Sequence, residues 1–565
     1  MKIKRLLIGM LACSAMVACT NEDVLEDNGQ QIAKNDSYLS IRLVNPVSSS
    51  RAAFENGEAN EGKVSAARFY LFDANGGAYT IKDAQNLDVN YVSTTVSPGA
   101  PDQKDGSNVE TICNAVIVIN KSQVAPPASI VAVLNPPTEL GTASLSLQQL
   151  QHANMAANYA SIKTVDANGA TVYTAPYIGE NKFVMTNSVH IDANNEMLVA
   201  TPIEAVNIQT DAEKAKKNPV QIYVERIASK VRVKPNTEGT NVSVNNNVVT
   251  IPTGVKDANK NDITAQIKGW RVTNITESSN LLKSLDESYT FATTGWTGWN
   301  DATNHRSYWA NTTAAPVHKW TFNDLTLSAN GGYDYYNENT KNAEGSNSQL
   351  LVAAEFLVNG VKTTIAEWFG VKYTLDDLKT AIAGTLTKQI YVKGEDNALV
   401  SITGANIDFY QETDIVKDAP EKRYLSYATY LAKDANEAAI KYYDAAGTEL
   451  TENDLNTIFK NVQPAKIWAA GGYYYVDIEH HSITETVTEG EGEAAVTKNI
   501  KKSENALVRN HLYDIKISAL SGLGTPVYDP DKIITPEKPG TDDSYIAAQV
   551  NVLAWKVVSQ DVTLQ

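Results

Sequence analysis

The sequence predicts a mainly β protein: two β-sandwich domains, a few short helices and an extended strand at the C-terminus. Short alternating apolar runs recur between turn signals, which is the spacing of sandwich strands. At 565 residues the chain is too long for one core. Its end, Ser544 to Gln565, holds no glycine or proline and sets Ile546, Ala548, Val550, Val552 and Ala554 on one face of a strand. A proline-rich, acidic spacer precedes it, Thr525 to Asp543, which is expected to hold the strand away from its own domain. The alternative is that the stretch is simply the last strand of its own sandwich.

Taken in order, the chain opens with Lys2, Lys4 and Arg5 before an apolar run from Leu6 to Val17, too short to span a bilayer. This is an export signal. It ends in Met16-Val17-Ala18-Cys19, which resembles a bacterial lipobox, whose cysteine thiol carries the lipid. An ordinary signal peptide cut after Ala18 is the alternative. A polar tether comes next, and then Tyr38 to Val44 alternates with Leu39, Ile41 and Leu43 on one face, a first strand. Ser48-Ser49-Ser50-Arg51-Ala52-Ala53 is a small, polar loop that offers one arginine to a trypsin-like protease.

Strands are expected at Val64 to Phe72, Asn114 to Ile119, Ser129 to Leu134, around Met197 to Val206, Gln221 to Val233, Lys268 to Asn274 and Gln349 to Val358. Ser146 to Tyr159 reads as a helix, and Ala212 to Pro219 as a surface connector near the domain boundary. Two later helices carry capping boxes, Thr374 with Asp377, closed by Gly384, and Thr451 with Asp454. Tyr473 to Ile478 and Leu507 to Ile517 are expected to pair across an acidic loop, Glu485 to Lys498.

Charge and chemistry narrow the function. Lys and Arg number 48 against 65 Asp and Glu, a net charge of −17, which argues against a nucleic-acid partner. Two of three cysteines lie in the leader, so no disulfide framework is expected in the folded part. Cys113 reads as a small core residue. His480 and His481 are adjacent on a strand and point to opposite faces, so they make a surface pair rather than a metal site. Asp257 to Asn261 starts like a calcium loop but lacks its glycine and closing glutamate, and reads as a turn. No catalytic motif, metal set or cofactor fingerprint is present, so no enzyme and no cofactor are expected. Among 27 Tyr and 8 Trp, Tyr473-Tyr474-Tyr475 and Trp296 with Trp299 are candidate sugar-stacking rings, with core packing as the blander use.

Several stretches together resemble the fimbrillins, subunits of type V pili, and most of all the minor fimbrium shaft subunit. They are the lipobox at Cys19, Ser37-Tyr38-Leu39-Ser40 running to Ser50-Arg51, Val224-Glu225-Arg226-Ile227-Ala228-Ser229-Lys230-Val231, Val508-Arg509-Asn510-His511-Leu512-Tyr513, and Val550 to Val557. They span the chain in order, although Gly239 to Asn347 follows no such pattern. The resemblance implies two transthyretin-like β-sandwich domains and polymerisation by donor-strand exchange, supporting adhesion and biofilm formation. It implies an outer-membrane lipoprotein precursor, palmitoylated at Cys19 and cut by an arginine-specific protease between Arg51 and Ala52. The strand bearing Leu39, Ile41 and Leu43 is then removed, and the face from Ile546 to Ala554 of another copy takes its place. The implied division is a signal peptide at 1–18, a propeptide at 19–51, sandwiches at 52–220 and 221–524, a spacer at 525–543 and the donor strand at 544–565. Implied partners are further copies of the chain and fimbrial tip and anchor subunits. A tip or anchor role for this chain, and a monomeric surface glycan-binding lipoprotein, are the alternative readings.

Overall fold

The computed structural model describes residues 37–44, 61, 64–95 except 84, 112–119, 125–156, 163–165, 171–173, 178–179, 182–188, 190–191, 197–283, 312, 314–341, 345–411, 425–429, 440–459, 461–463, 465–489, 496–527, 529–536, 545–553 and 559–560. Cys19, Arg51, Ala52, Trp296, Trp299 and Ala554 lie outside them. The protein is mainly β.

The first half is organised on a nine-stranded sheet. Its strands run Ser37–Val44, Val220–Arg226, Met185–Asn187, Ser129–Leu134, Ala66–Phe72 and Tyr91–Thr95, with Ile112–Ile119 on the other side of Ser37–Val44. Val220–Arg226 gives its first half to Ser37–Val44 and its second half to Met185–Asn187. Period-two burial explains the strands: Ala115, Ile117 and Ile119 are buried, while Val116 between them is exposed.

The second half is a two-sheet sandwich. One sheet orders Tyr333–Asn337, Ala228–Pro235, Leu512–Ser521, Tyr545–Leu553 and Ser559–Gln560. The other orders Ser243–Asn245, Val248–Lys256, Asp262–Thr273, Gln349–Val358, Gly471–Asp477 and Thr525–Val527. Val231, Val233, Ile515 and Ile517 share one core with Val249, Ile251, Ile263 and Ala265. That core continues without a break into the first half, from Leu39 to Leu523.

Val220–Arg226 and Ala228–Pro235 read as one strand in sequence but belong to different sheets. The inward phase changes between them, from Ile222 and Val224 to Val231 and Val233, with buried Ile227 at the change-over. By sheet membership the division between halves falls at Ile227 rather than at 220/221.

Four other expectations are corrected. Tyr473 to Ile478 and Leu507 to Ile517 do not pair: Gly471–Asp477 lies beside Gln349–Val358, and Leu512–Ser521 lies in the other sheet. The acidic stretch is a hairpin, Glu479–Glu489 with Val496–Asn505. The early helix covers only Leu147–Gln151, because Asn154–Ala156 pairs with Ser278–Asn280. The expected connector is a short helix, Ala212–Lys217, capped by the Asp211 side chain.

Between the neighbouring strands Gln349–Val358 and Gly471–Asp477 the chain leaves the sandwich and builds a separate layer. Its sheet orders Val371–Thr374, Ile365–Trp368, Ala465–Trp468, Leu425–Thr429 and Asp408–Gln411. Its helices, Leu375–Leu386 and Glu452–Phe459, pack Leu378, Ile382, Leu386, Leu455 and Phe459 into a core of their own. Thr451 and Asp454 form the full capping box, each accepting from the other's amide, whereas Thr374 accepts from the Asp377 amide and donates its hydroxyl to the Asp377 carboxylate. Gly384 does not close the first helix, which runs on to Leu386.

Candidate strand-exchange site

The first strand is internal to its sheet. Along one edge Ser37 to Val44 pairs antiparallel with Ile119 to Ile112, residue for residue. Along the other edge Tyr38 and Leu39 face Gln209 and Ile208, and Ile41 to Val44 run parallel to Val220 to Tyr223. Leu39 and Ile41 are both at 0% exposure in the core. Leu43 is placed by register only, opposite Cys113. A strand paired on both edges and buried on one face leaves an open groove when it departs: two rows of unpaired backbone groups and an apolar floor.

The outer face is also covered at one point. Ser40 alternates away from Leu39 and Ile41 yet is 4% exposed, and the helix Ala212–Lys217, with Ala215 at 0%, is a neighbour of this strand. Sequence reading missed both features, since nothing local says that a lysine-rich hexapeptide lies beside a strand far from it in sequence.

The C-terminal strand does not stand away from its own domain. Tyr545–Leu553 pairs antiparallel with Leu512–Ser521, with Val552 opposite Tyr513, Val550 opposite Ile515, Ala548 opposite Ile517 and Ile546 opposite Leu520. The described part of the spacer is docked as well. Thr525–Val527 pairs with Gly471 to Tyr473, the Ile534 amide donates to the Trp320 carbonyl at 2.8 Å, and Val527 and Ile534 are buried with Phe322, Leu325 and Tyr473. Apolar residues among the prolines, Val527 and Ile534, give this segment something to bury, which a purely polar linker lacks.

The two inner motifs of the resemblance meet at the junction between the halves. Lys230 Nζ donates to Glu61 Oε1 at 2.6 Å, Tyr335 Oη bonds to the same oxygen, and Arg226 Nε donates to the Glu61 carbonyl at 2.8 Å. Arg226 also reaches Asn510 Oδ1 at 3.2 Å. Arg509 Nε donates to Glu338 Oε1 at 3.2 Å, and its Nη1 and Nη2 donate to the carbonyls of Leu281 and Asn280 at 3.0 and 2.8 Å. Lys283 lies 3.2 Å from Glu225, both side chains at 0% exposure. Burial pushes the Glu225 carboxyl above its ordinary range, against the pull of Lys283 and Arg509. Buried charges of this kind persist only when paired and hydrogen-bonded, so the network fixes how the halves meet.

The remaining chemical candidates are absorbed by the scaffold. His480 is buried rather than a surface residue: a register shift between Glu479 and His481 turns it inward, where Nδ1 lies 2.9 Å from Tyr513 Oη and its ring is edge-on to His511. Tyr473 and Tyr474 are buried and Tyr475 is half-buried, so the first two offer no sugar platform. Asp257 to Asn261 is a turn in which Asp257 Oδ1 accepts from the Asn261 amide at 2.8 Å. Among the described residues no three His, Cys, Asp or Glu are grouped as a metal site.

Residues 470–561 match the family model for the C-terminal part of fimbrillin, the major fimbrial subunit protein type IV. The match covers the strands Gly471–Asp477, Leu512–Ser521 and Tyr545–Leu553, and over it the chain is fimbrillin-like. No characterised protein matches the chain by sequence. Among solved structures, a fimbrilin of Porphyromonas gingivalis is similar over 93% of this chain and 99% of its own, at 11% identity and a TM-score of 0.31. A tip fimbrial protein of the same organism is similar over 90% and 99%, at 9% identity and a TM-score of 0.29. A proposed cell adhesion protein of Bacteroides eggerthii is similar over 94% and 98%, at 9% identity and a TM-score of 0.31.

Proposed function

We propose that this chain is a structural shaft subunit of a surface fimbrium, exported as a lipoprotein through Cys19, cut between Arg51 and Ala52, and polymerised by strand exchange. The observation that carries the reading is the place of the first strand. Ser37–Val44 is internal, paired on both edges and buried at Leu39 and Ile41, yet it lies N-terminal to the arginine-bearing loop. One cut there separates a core strand covalently from the rest of the sheet. The fimbrillin match over residues 470–561 supports the assembly class.

The donor is the C-terminal strand of another copy. It sits in its own sheet as the penultimate strand, flanked on its outer side, among the described residues, by the two-residue strand Ser559–Gln560. Its exit therefore unpairs one long edge rather than splitting a sheet. While the first strand remains attached it occupies its groove at high effective concentration, and no second copy competes with it.

Replacing Arg51 by Ala tests this. The expected product is a folded precursor that stays monomeric, whereas the wild type shows a mature N-terminus at Ala52 by mass spectrometry and assembles. Assembly of the Arg51→Ala protein with its first strand still attached would overturn the reading.

A further inference from the structure

We infer that the C-terminal strand is a register-specific copy of the first strand: Ser544 to Asn551 enter the groove in the places of Ser37 to Val44, in the same direction, with Ala547 under the helix Ala212–Lys217. The inference rests on the strand-exchange reading above and adds the register, the direction and the residue that sets them.

The two segments correspond position by position. Ser37-Tyr38-Leu39-Ser40-Ile41-Arg42-Leu43-Val44 stands against Ser544-Tyr545-Ile546-Ala547-Ala548-Gln549-Val550-Asn551. The first two residues are identical, aliphatic residues coincide at Leu39 with Ile546 and at Leu43 with Val550, and a long polar residue coincides at Arg42 with Gln549. Small residues coincide at Ser40 and Ala547.

The burial of Ser40 explains why that last correspondence matters. Ser40 is 4% exposed although it lies on the outer face, while its cross-strand partner Val116 on the same face is 37% exposed, so the cover is local. The helix that neighbours the strand, which we take as this cover, is anchored at both ends: Asp211 Oδ1 accepts from the Lys214 amide at 3.1 Å, and Asn207 Nδ2 donates to the Asn218 carbonyl at 3.1 Å. On the C-terminal strand the residues opposite the apolar face are Tyr545, Ala547, Gln549, Asn551 and Leu553, of which only Ala547 is small. A slip by two residues puts Tyr545 or Gln549 under this cover, which means displacing the helix or burying an amide where a hydroxymethyl group fits. A slip by one turns Gln549 and Asn551 into the core.

Cysteine pairs read the register. In a Cys113→Ala background, Ala547→Cys with Val116→Cys should give disulfide-linked chains in the assembled polymer, because Ser40 faces Val116 and directly opposed strand residues have the Cβ spacing a disulfide needs. Gln549→Cys with Asn114→Cys should also link, since Arg42 faces Asn114. Ala547→Cys with Asn114→Cys or with Val118→Cys should not. A link from position 547 to 114 or 118 would overturn the register. A link from 549 to 118 in place of 114 would overturn the direction. Polymer with none of these links would place the strand elsewhere. If the wild-type chain, cut after Arg51, makes no polymer although its precursor is folded, the strand-exchange reading itself fails and the register falls with it. As a second arm, Ala547→Ser should preserve assembly and Ala547→Gln should abolish it, with precursor melting compared for both variants.

Discussion

Lys230 and Glu61 form a buried ion pair at 2.6 Å that joins the strand Ala228–Pro235 of the second half to a residue only ten positions beyond Arg51. Arg226 and Tyr335 hold the same residue. Glu61 is therefore tied to the junction, and the proposed cut would free the first strand while Glu61 stays anchored. Glu61→Ala should destabilise the precursor by about 3–5 kcal/mol, the cost of leaving a buried cation unpaired. Chemical denaturation tracked at both halves should show them losing coupling. Unchanged stability would show that the pair contributes nothing to the junction.

Lys283 and Glu225 make the second junction pair, and removing the cation has a signed pH effect. In Lys283→Met the buried carboxylate loses its strongest opposing charge, so its folded pKa rises further above the unfolded value. A raised carboxyl pKa contributes stability below the unfolded carboxylate range and loses it as pH rises through the folded value. The variant should therefore fall progressively behind the wild type as pH rises from the acidic range to neutrality and beyond. Adding Glu225→Leu should flatten that difference, measured by thermal melting across the range.

Ala548 takes the place of Ile41 in the proposed register, and Ile41 is at 0% exposure. An Ile-to-Ala change at such a site costs about 2–5 kcal/mol through lost contacts and a cavity. In that register the groove would be better filled by its own strand than by the donor, which would give the proposed cut its purpose. Ala548→Ile should make the polymer harder to dissociate, on the order of 2 kcal/mol. The temperature at which SDS-resistant multimers fall apart should rise, and a lower temperature would place position 548 outside the core.

Val550→Asp should block assembly by burying an unpaired carboxylate at the place of Leu43, whereas Asn551→Asp, on the opposite face, should assemble normally. Light scattering of the cut proteins separates the two, and equal behaviour would remove the sidedness of the donor.

Much of the fold was legible because strand burial follows local alternation. Ser129–Leu134 and Gln349–Val358 have the bounds that their apolar runs predict, and both predicted N-cap threonines start helices. What sequence could not supply was adjacency in space. Nothing near Gln349–Val358 announces that its neighbour is Gly471–Asp477, so the inserted layer between them was invisible as a unit. The spacer's prolines pointed to a stand-off, but Val527 and Ile534 bury against the sandwich and bring Tyr545–Leu553 back to its own sheet. His480 defeated the alternation rule because a bulge reversed its face. The burial of Ser40 on the outer face is a tertiary effect that local alternation does not announce.

The most direct measurement is electrophoresis in SDS, without boiling, of protein recovered from the cell surface, comparing the wild type with a chain lacking Ser544 to Gln565. Strand exchange gives a heat-labile ladder of multiples of a mature chain that begins at Ala52, and the truncated chain, cut at the same site, gives the single lowest band. A wild-type monomer band that retains Ser37–Val44, or an undiminished ladder from the truncated chain, would contradict it.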